Sequence, residues 1–265
     1  MDIIQRNFLS LLRCGAFDAH EQTEPMSEWK WNKLYQYSQI HGVTPWIADG
    51  IRKRSDDFYL QQVSPTLLQK FYDDTTARTE ERQNEELTNP LLNRKLQKLA
   101  EEAGPQDSTF SLLLDIIAIA RNILTQGISL RQLIALGTTV RSHNRSIIYE
   151  VLTTWIAQLH MQQMAKLEGA LLMELFDFDA DEIRFTEASV TDKTKQVVQD
   201  IFQMTQKNAS EWYFTQGRSI FVRTNDSDAM MWHVKHSAKY MHYYPSEAVT
   251  NFFRNFTHSL SHIEE

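Results

Sequence analysis

Apolar residues recur along most of this chain at the spacing of an α-helix. Near the start, Ile4, Phe8, Leu11 and Leu12 form an i, i+4, i+7, i+8 stripe, which predicts a first amphipathic helix. Later stripes predict helices over roughly 109–125, 129–142, 146–158, 160–176, 191–207, 227–242 and 246–262. The short breaks between them are typical of antiparallel neighbours, so the predicted fold is all-α, a multi-helix bundle.

Proline and hydroxyl residues mark where several helices begin. Ser27 is expected to cap a second helix, and Pro45 and Pro65 each occupy a first helical position, where the missing N–H costs nothing. Pro90 is expected to end or kink the long helix that follows Pro65, because proline disfavours the α conformation in the residue before it.

One segment and one junction depart from the helical pattern. Residues near 211–223 carry aromatic and β-branched side chains on both sides of Gly217, and they predict one short β-hairpin or irregular arm. The turn at Gly104 divides the sequence into an N-terminal helical region, 1–104, and a C-terminal helical bundle, 105–265. We expect one continuous compact unit, with the helices before and after the turn packed on each other.

Composition and charge narrow the class of protein. The chain has 265 residues, of which 42% are apolar and 23% charged, a balance typical of a globular protein that can bury a core. Its formal net charge of −7 argues against nucleic-acid binding, which needs clustered Lys and Arg to neutralise phosphates. The basic run at 52–54 is interpreted as a solvated helix end, because Asp56 and Asp57 follow it.

Several features predict a cytoplasmic protein without a membrane segment. The single cysteine, Cys14, cannot form an internal disulfide and is expected to be a small core residue. The N-terminus has the spacing of an amphipathic helix and not the pattern of a signal peptide. The most apolar stretch, 110–120, is interrupted by Asp115 and is far shorter than the ~20 residues that span a bilayer.

Several separated stretches resemble one protein family. Near the N-terminus, FLSLLRCGAF precedes WNKLYQYSQIHGVTPWIADGI, which contains a His-Gly-Val-x-Pro turn. The most specific stretches are GISLRQLIALGTTVRSHN and LEGALLMELFDFDADEIRF, and HVKHSAKYMHYYPSEAVTNFFRNF lies near the C-terminus. Together they resemble the helical flanks of an uncharacterised bacterial (Bacteroidetes-type) nucleotidyltransferase family.

The resemblance implies a mixed catalytic sheet between the two flanks. In the family, a Lys-Gly turn and a Gly-Asp-x-Asp segment of that sheet would bind divalent metal and nucleotide phosphates. Here residues 104–109 join the flanks directly and leave no room for a strand-turn-strand unit. The resemblance therefore implies a relative whose catalytic sheet has been deleted, and no catalytic residue of the family carries over.

Alternating acids follow the predicted leucine-rich helix. Asp177, Asp179 and Asp181 suggest a rebuilt Mg²⁺ site or the start of a calcium loop. The calcium interpretation fails, because Glu182 and Ala188 occupy positions that a calcium loop gives to Gly and Glu. No Gly-Ser phosphate-binding turn precedes the acids, so a solvated turn after the helix is favoured.

Histidines are concentrated near the C-terminus. His233 and His236 have i, i+3 spacing, and His258 and His262 have i, i+4 spacing, so each pair shares one helix face. If the last two helices pack antiparallel, the four side chains would make a zinc-compatible site. A polar histidine surface without metal is the favoured alternative.

Three charged residues interrupt otherwise apolar helices. Asp115 and Arg121 lie on one predicted helix, and Arg131 lies on the next. A buried Arg–Asp pair between these helices would satisfy both charges and fix their register. Alternatively, Arg131 with Asp115 and Arg121 lines a groove and binds a phosphate or carboxylate of a ligand.

These patterns lead to three functional hypotheses. The first is a non-catalytic helical relative of the nucleotidyltransferase family that acts as a binding or regulatory module without a cofactor. It predicts a protein partner or a homo-oligomer, and neither nucleic acid nor a membrane. The second is a divergent Mg²⁺-dependent nucleotidyltransferase with a rebuilt site, and the third is a metal-dependent hydrolase that uses the C-terminal histidines.

Overall fold

The computed structural model describes residues 1–74, 86–104, 107–215 and 238–261. Within these ranges the chain forms α-helices and two short 3₁₀ segments, Leu60–Gln62 and Met241–Tyr243, and no strand. The α-helices are α1 (Ile3–Phe17), α2 (Glu28–Ile40), α3 (Thr44–Lys53), α4 (Pro65–Asp73), α5 (Pro90–Ala103), α6 (Ser108–Thr125), α7 (Leu130–Ser142), α8 (Tyr149–Gln158), α9 (Gln162–Phe176), α10 (Asp192–Thr215) and α11 (Pro245–Ser261). The all-α prediction is confirmed.

Side-chain caps fix where several of these helices begin. The Ser64 hydroxyl accepts the backbone N–H of Leu67 (3.3 Å) at the start of α4. Asn89 caps α5 in the same way, with Pro90 as the first residue of that helix. Ser27 occupies the N-cap position of α2, as expected, and its carbonyl oxygen accepts the Trp31 N–H (3.1 Å), although its side chain makes no capping hydrogen bond.

The predicted arm near 211–223 is helical in the part that the structure describes. α10 continues through Thr215, so residues 211–215 are helical and not extended. Extending an existing helix by one residue costs less than nucleating new structure, which explains why α10 overrides the local strand preference. The rest of the predicted arm, and most of the predicted helix at 227–242, lie outside the described residues.

Close contacts divide the chain into two compact units. The first contains the described residues within Met1–Glu80, Leu171–Phe178 and Val190–Val222, and the second contains those within Glu81–Ala170, Asp179–Ser189 and Arg223–Glu265. In the second unit α5 packs on α6, as expected for the helices that flank the Gly104 turn. The grouping of α5 with α6 differs from a division of the chain at 104/105.

The first unit is built around the crossing of α1 and α3. A Cβ added to Gly15 would lie 1.7 Å from the Trp46 carbonyl oxygen, and one added to Gly50 would lie 2.1 Å from the Leu11 carbonyl oxygen. Glycine at both positions therefore allows the two backbones to approach closely. Cys14 lies beside this crossing and is buried, as predicted, and its burial raises the pKa of the thiol.

The second unit is organised around α6, which packs on α5, α7 and α8. By length and composition α6 passes as a membrane span, with a mean hydropathy of 1.4 over 18 residues, but 61% of this stretch is buried inside the protein. Burial of this extent is what a core helix requires. Of the two charged residues of α6, Asp115 is half-buried, whereas Arg121 is buried and needs partners within the fold.

Candidate functional site

Two side-chain contacts between α6 and α7 define the register of this helix pair. Thr139 Oγ1 donates a hydrogen bond to Asp115 Oδ2 (3.4 Å), and Asn122 Nδ2 donates one to Gln132 Oε1 (3.0 Å). These two bonds define an antiparallel register with Asp115 opposite Thr139. Arg131 precedes Thr139 along α7 by a distance of roughly 12 Å at the helical rise per residue. Asp115 and Arg131 therefore lie at different levels of the helix pair.

Arg121 binds groups that are distant in sequence. Its Nη1 donates to the Glu86 carbonyl oxygen, its Nη2 donates to Thr88 Oγ1 (3.3 Å), and its Nε lies 3.7 Å from Glu247 Oε1. Glu247 is fully buried and also accepts the backbone N–H groups of Thr88 (2.6 Å) and Asn89 (2.9 Å). Burial lowers the pKa of Arg121, and the charge of Glu247 opposes this. Arg121 thus joins α6 to α11 and to the segment before α5.

Glu168 is a candidate that the sequence analysis missed. This α9 side chain is 0% exposed, and neither carboxyl oxygen has a hydrogen-bond partner among the residues that the structure describes. Burial raises the pKa of Glu168 well above its ordinary value, and the negative charge of Asp115 raises it further. A buried carboxyl without a partner is costly and uncommon, and such groups are concentrated at functional sites.

The next residue of α9, Gly169, lies tightly against another part of the chain. A Cβ added to Gly169 would lie 2.7 Å from Ile183 Cγ2 and 2.8 Å from Ala188 Cβ. The segment 183–188 therefore packs directly on the Gly169 face of α9, next in sequence to Glu168.

A groove of about 740 Å³ opens where α5 ends, α6 begins and α7 ends. We call it the junction groove, and it is lined by Ala100, Glu101, Gly104, Asp107, Ser108, Phe110, Ser111, Leu114, Thr139 and His143. Its size lies in the range of roughly 300–1,000 Å³ found for ligand pockets. Thr139 connects its wall to Asp115, whereas Arg121 and Arg131 are not among the lining residues.

The acidic turn after α9 is solvated, as predicted. Asp177, Asp179 and Asp181 are all exposed, and Asp177 Oδ2 lies 3.0 Å from Arg13 Nη1. Arg13 Nε also donates to the Leu175 carbonyl oxygen (2.7 Å) at the end of α9. Among the residues that the structure describes, no group of three or more His, Cys, Asp or Glu is placed to hold a metal ion.

The four predicted zinc ligands fall outside what the structure describes. His233, His236 and His262 lie outside the described residues, and His258 lies in α11 with its side chain outside them. The zinc site therefore stays a prediction.

The basic run at 52–54 is not simply a solvated helix end. Arg54 is buried, and it donates to Ser10 Oγ (2.7 Å) and to Asp57 Oδ2 (3.1 Å). Arg52 pairs with Asp49 at 2.6 Å. The solvated interpretation was wrong for Arg54, because the nearby Asp57 draws its guanidinium into the fold.

Comparisons with known proteins give no relative for this chain. No protein-family model matches it, and no curated protein or solved structure matches it. The resemblance to the nucleotidyltransferase family therefore stays a prediction from the sequence motifs.

Proposed function

We propose that this chain is a non-catalytic helical binding module of the cytoplasm that recognises a protein partner through the junction groove. The observation that carries the proposal is a groove of ligand size at the turn where the family resemblance implies a deleted sheet. Phe110 and Leu114 supply apolar surface, and Glu101, Ser108 and Thr139 supply polar groups. This mixture is typical of binding sites, in which apolar surface gives affinity and a few polar groups give specificity.

The groove favours binding over catalysis, because the hydrogen bonds of its described residues do not form a nucleophile–base pair. A serine nucleophile must donate its proton to a base that a third group orients. The Ser142 hydroxyl lies 2.9 Å from His143 Nδ1, but it donates its proton to the Thr138 carbonyl oxygen (2.6 Å). Asp107 uses its carboxylate to cap α6. These groups therefore stabilise helix ends and are not arranged for proton transfer.

Affinity capture from the native host tests the proposal, with variants that fill the groove. Glu101→Trp places a bulky side chain in the lining, and Ser108→Trp does so without changing the charge. Glu102→Trp is the matched control, because Glu102 is the neighbouring exposed residue and does not line the groove. Mass spectrometry should find one protein partner retained by the wild type and Glu102→Trp and lost by the two groove variants.

Two results would contradict the proposal. One is an identical set of captured proteins for all four chains, provided that their melting temperatures agree. The other is Mg²⁺-dependent turnover of ATP or CTP that Asp177→Asn abolishes, which would favour the rebuilt transferase. Asp177 is already paired with Arg13, so we expect no such turnover.

A further inference from the structure

The helix ends around the junction groove give it a negative electrostatic potential. α5 and α7 both end at the groove, and a helix C-terminus carries roughly half a negative charge. α6 begins there with a partial positive charge, but the Asp107 carboxylate accepts the N–H groups of Thr109 (2.7 Å) and Phe110 (3.1 Å). The positive end of α6 is thus already offset by a full negative charge.

A further carboxylate adds to this potential. Glu101 is exposed in the lining, and it forms no ion pair within the part of the chain that the structure describes. Arg141, on the same helix as the lining residue Thr139, is bound by Glu182 in bidentate fashion (2.7 and 3.0 Å).

The apolar part of the groove suits a long side chain with a charged end. Phe110 packs edge to face against Trp155, with ring centroids 6.0 Å apart, and this contact holds its ring in place. Leu114 and Ala100 extend the apolar surface. Lysine and arginine bury their aliphatic stems on such surfaces while the cation stays near acceptors, and a guanidinium also stacks on an aromatic ring.

We infer that the junction groove binds a cationic segment of its protein partner, with an arginine or lysine side chain lying along Phe110 and Leu114 toward Glu101. This inference rests on the proposed function and adds the charge and chemistry of the partner. Opposite charge across the interface also predicts association that is fast at low ionic strength and is weakened by salt.

A pair of defined peptides tests the inference directly. The probe is the N-acetylated, C-amidated pentapeptide Leu-Arg-Leu-Arg-Leu, and its matched control carries citrulline, which has nearly the shape of arginine without its charge. Calorimetry gives each affinity, and amide shifts in NMR spectra of the full chain locate the site. At low salt we expect the arginine peptide to bind about tenfold more tightly, with shifts at Ser108, Ser111 and Thr139.

Charge reversal then separates the groove from general attraction to an acidic protein. Glu101→Lys should weaken binding of the arginine peptide about threefold to tenfold, whereas Glu102→Lys should change it by less than about twofold. Raising the salt concentration to about 0.5 M should remove most of the difference between the two peptides.

Three results would overturn the inference. They are equal binding of the arginine and citrulline peptides, equal effects of Glu101→Lys and Glu102→Lys, and amide shifts outside the groove. The proposed function fails differently, since its test is the loss of a natural partner when Ser108→Trp fills the groove. If the partner is lost with Ser108→Trp but retained with Glu101→Lys at low salt, the proposed binding module stands and the inference that it binds a cationic segment is refuted.

Discussion

Replacing Glu168 by glutamine should stabilise the protein at neutral pH and remove one component of its pH dependence. The Glu168 carboxyl is fully buried and has no hydrogen-bond partner within the described part of the chain, and the charge of Asp115 further disfavours its ionisation. Folding therefore raises the pKa of this group above its ordinary value of 4.5. The cost of keeping it buried depends on pH.

The sign follows from proton binding. Because the pKa of Glu168 is raised on folding, the folded state retains this proton at pH values where the unfolded state has lost it. Compared with a residue that does not titrate, Glu168 contributes stability that is fully present below about pH 4.5. This contribution is lost as the pH rises through the folded-state pKa of Glu168. Wild type and Glu168→Gln should thus differ least near pH 4 and diverge as the pH increases.

The magnitude follows from what each variant removes. A tenfold change in a proton-binding constant corresponds to about 1.4 kcal/mol of free energy, and a buried polar group without a partner costs about 1–3 kcal/mol. Glu168→Gln removes the ionisation but keeps an unpaired amide, whereas Glu168→Met removes both. We expect Glu168→Met to raise the free energy of unfolding by about 1–3 kcal/mol at pH 7. Each kcal/mol should raise the melting temperature by about 2–4 °C.

Urea and thermal denaturation between pH 4 and pH 8 provide the assay. Glu174→Gln is the matched control, because it removes one carboxylate from the same helix at a half-buried position, and we expect a change within about 0.5 kcal/mol. The reasoning is refuted if Glu168→Gln and wild type lose stability in parallel across this range. It is equally refuted if Glu168→Met is less stable at every pH, since that would require a favourable partner for the carboxyl.

Gly15→Ala should cost about 3 kcal/mol or more, because the added Cβ would lie 1.7 Å from the Trp46 carbonyl oxygen, and thermal denaturation measures this. Burial lowers the pKa of His41 from 6.5 to about 4, so stability is lost as pH falls through this window. His41→Gln should remove this pH-dependent loss of stability, which amounts to up to about 3 kcal/mol. Denaturation curves recorded between about pH 4 and pH 6.5 measure it. Glu247→Gln should cost about 3–5 kcal/mol in urea denaturation, because it leaves the buried Arg121 guanidinium without its carboxylate.

Matched controls make two of these three predictions specific, those for Gly15→Ala and Glu247→Gln. Gly104→Asn changes a glycine with φ of 80° and ψ of 171° and no atom within 4 Å of an added Cβ, so only backbone strain of about 1–3 kcal/mol, with no steric overlap, is expected. Asp49→Asn breaks an ion pair near the surface and should cost less than about 1 kcal/mol. The steric argument is contradicted if Gly15→Ala loses no more stability than Gly104→Asn. The ion-pair argument is contradicted if Glu247→Gln loses no more stability than Asp49→Asn. The His41 argument is contradicted if the stability of His41→Gln changes with pH in parallel with that of the wild type.

The helices were predictable because their signals are local. The apolar stripe of Phe8 and Leu12 and the prolines at 65 and 90 lie within a few residues of the structure they specify. The segment 211–215 has strand-like side chains, yet it continues α10, because an existing helix extends at little cost. Local preference therefore predicted the class of fold better than it predicted the limits of individual helices.

The candidate site was less predictable because its contacts join distant parts of the chain. Arg121 was recognised as a charge that needs a partner, but Glu247 lies on another helix far along the sequence, and no local spacing pairs them. Glu168 did leave a local signal, since it follows the buried Leu167 and precedes the buried Leu171 and Leu172 on α9. A single acid on an apolar helix face indicates a buried charge, but it gives no indication of Asp115 on α6.

Site-specific photo-crosslinking in the native host tests the central claim, that the junction groove is the binding surface, most directly. Benzoylphenylalanine is introduced in place of His143, an exposed residue of the groove lining, or in place of the adjacent exposed residue Asn144, which does not line it. We predict that irradiation crosslinks one protein partner to the chain with the probe at 143 and yields little of that adduct with the probe at 144. The same adduct in equal yield at both positions, or none at 143 while capture persists, would contradict the account.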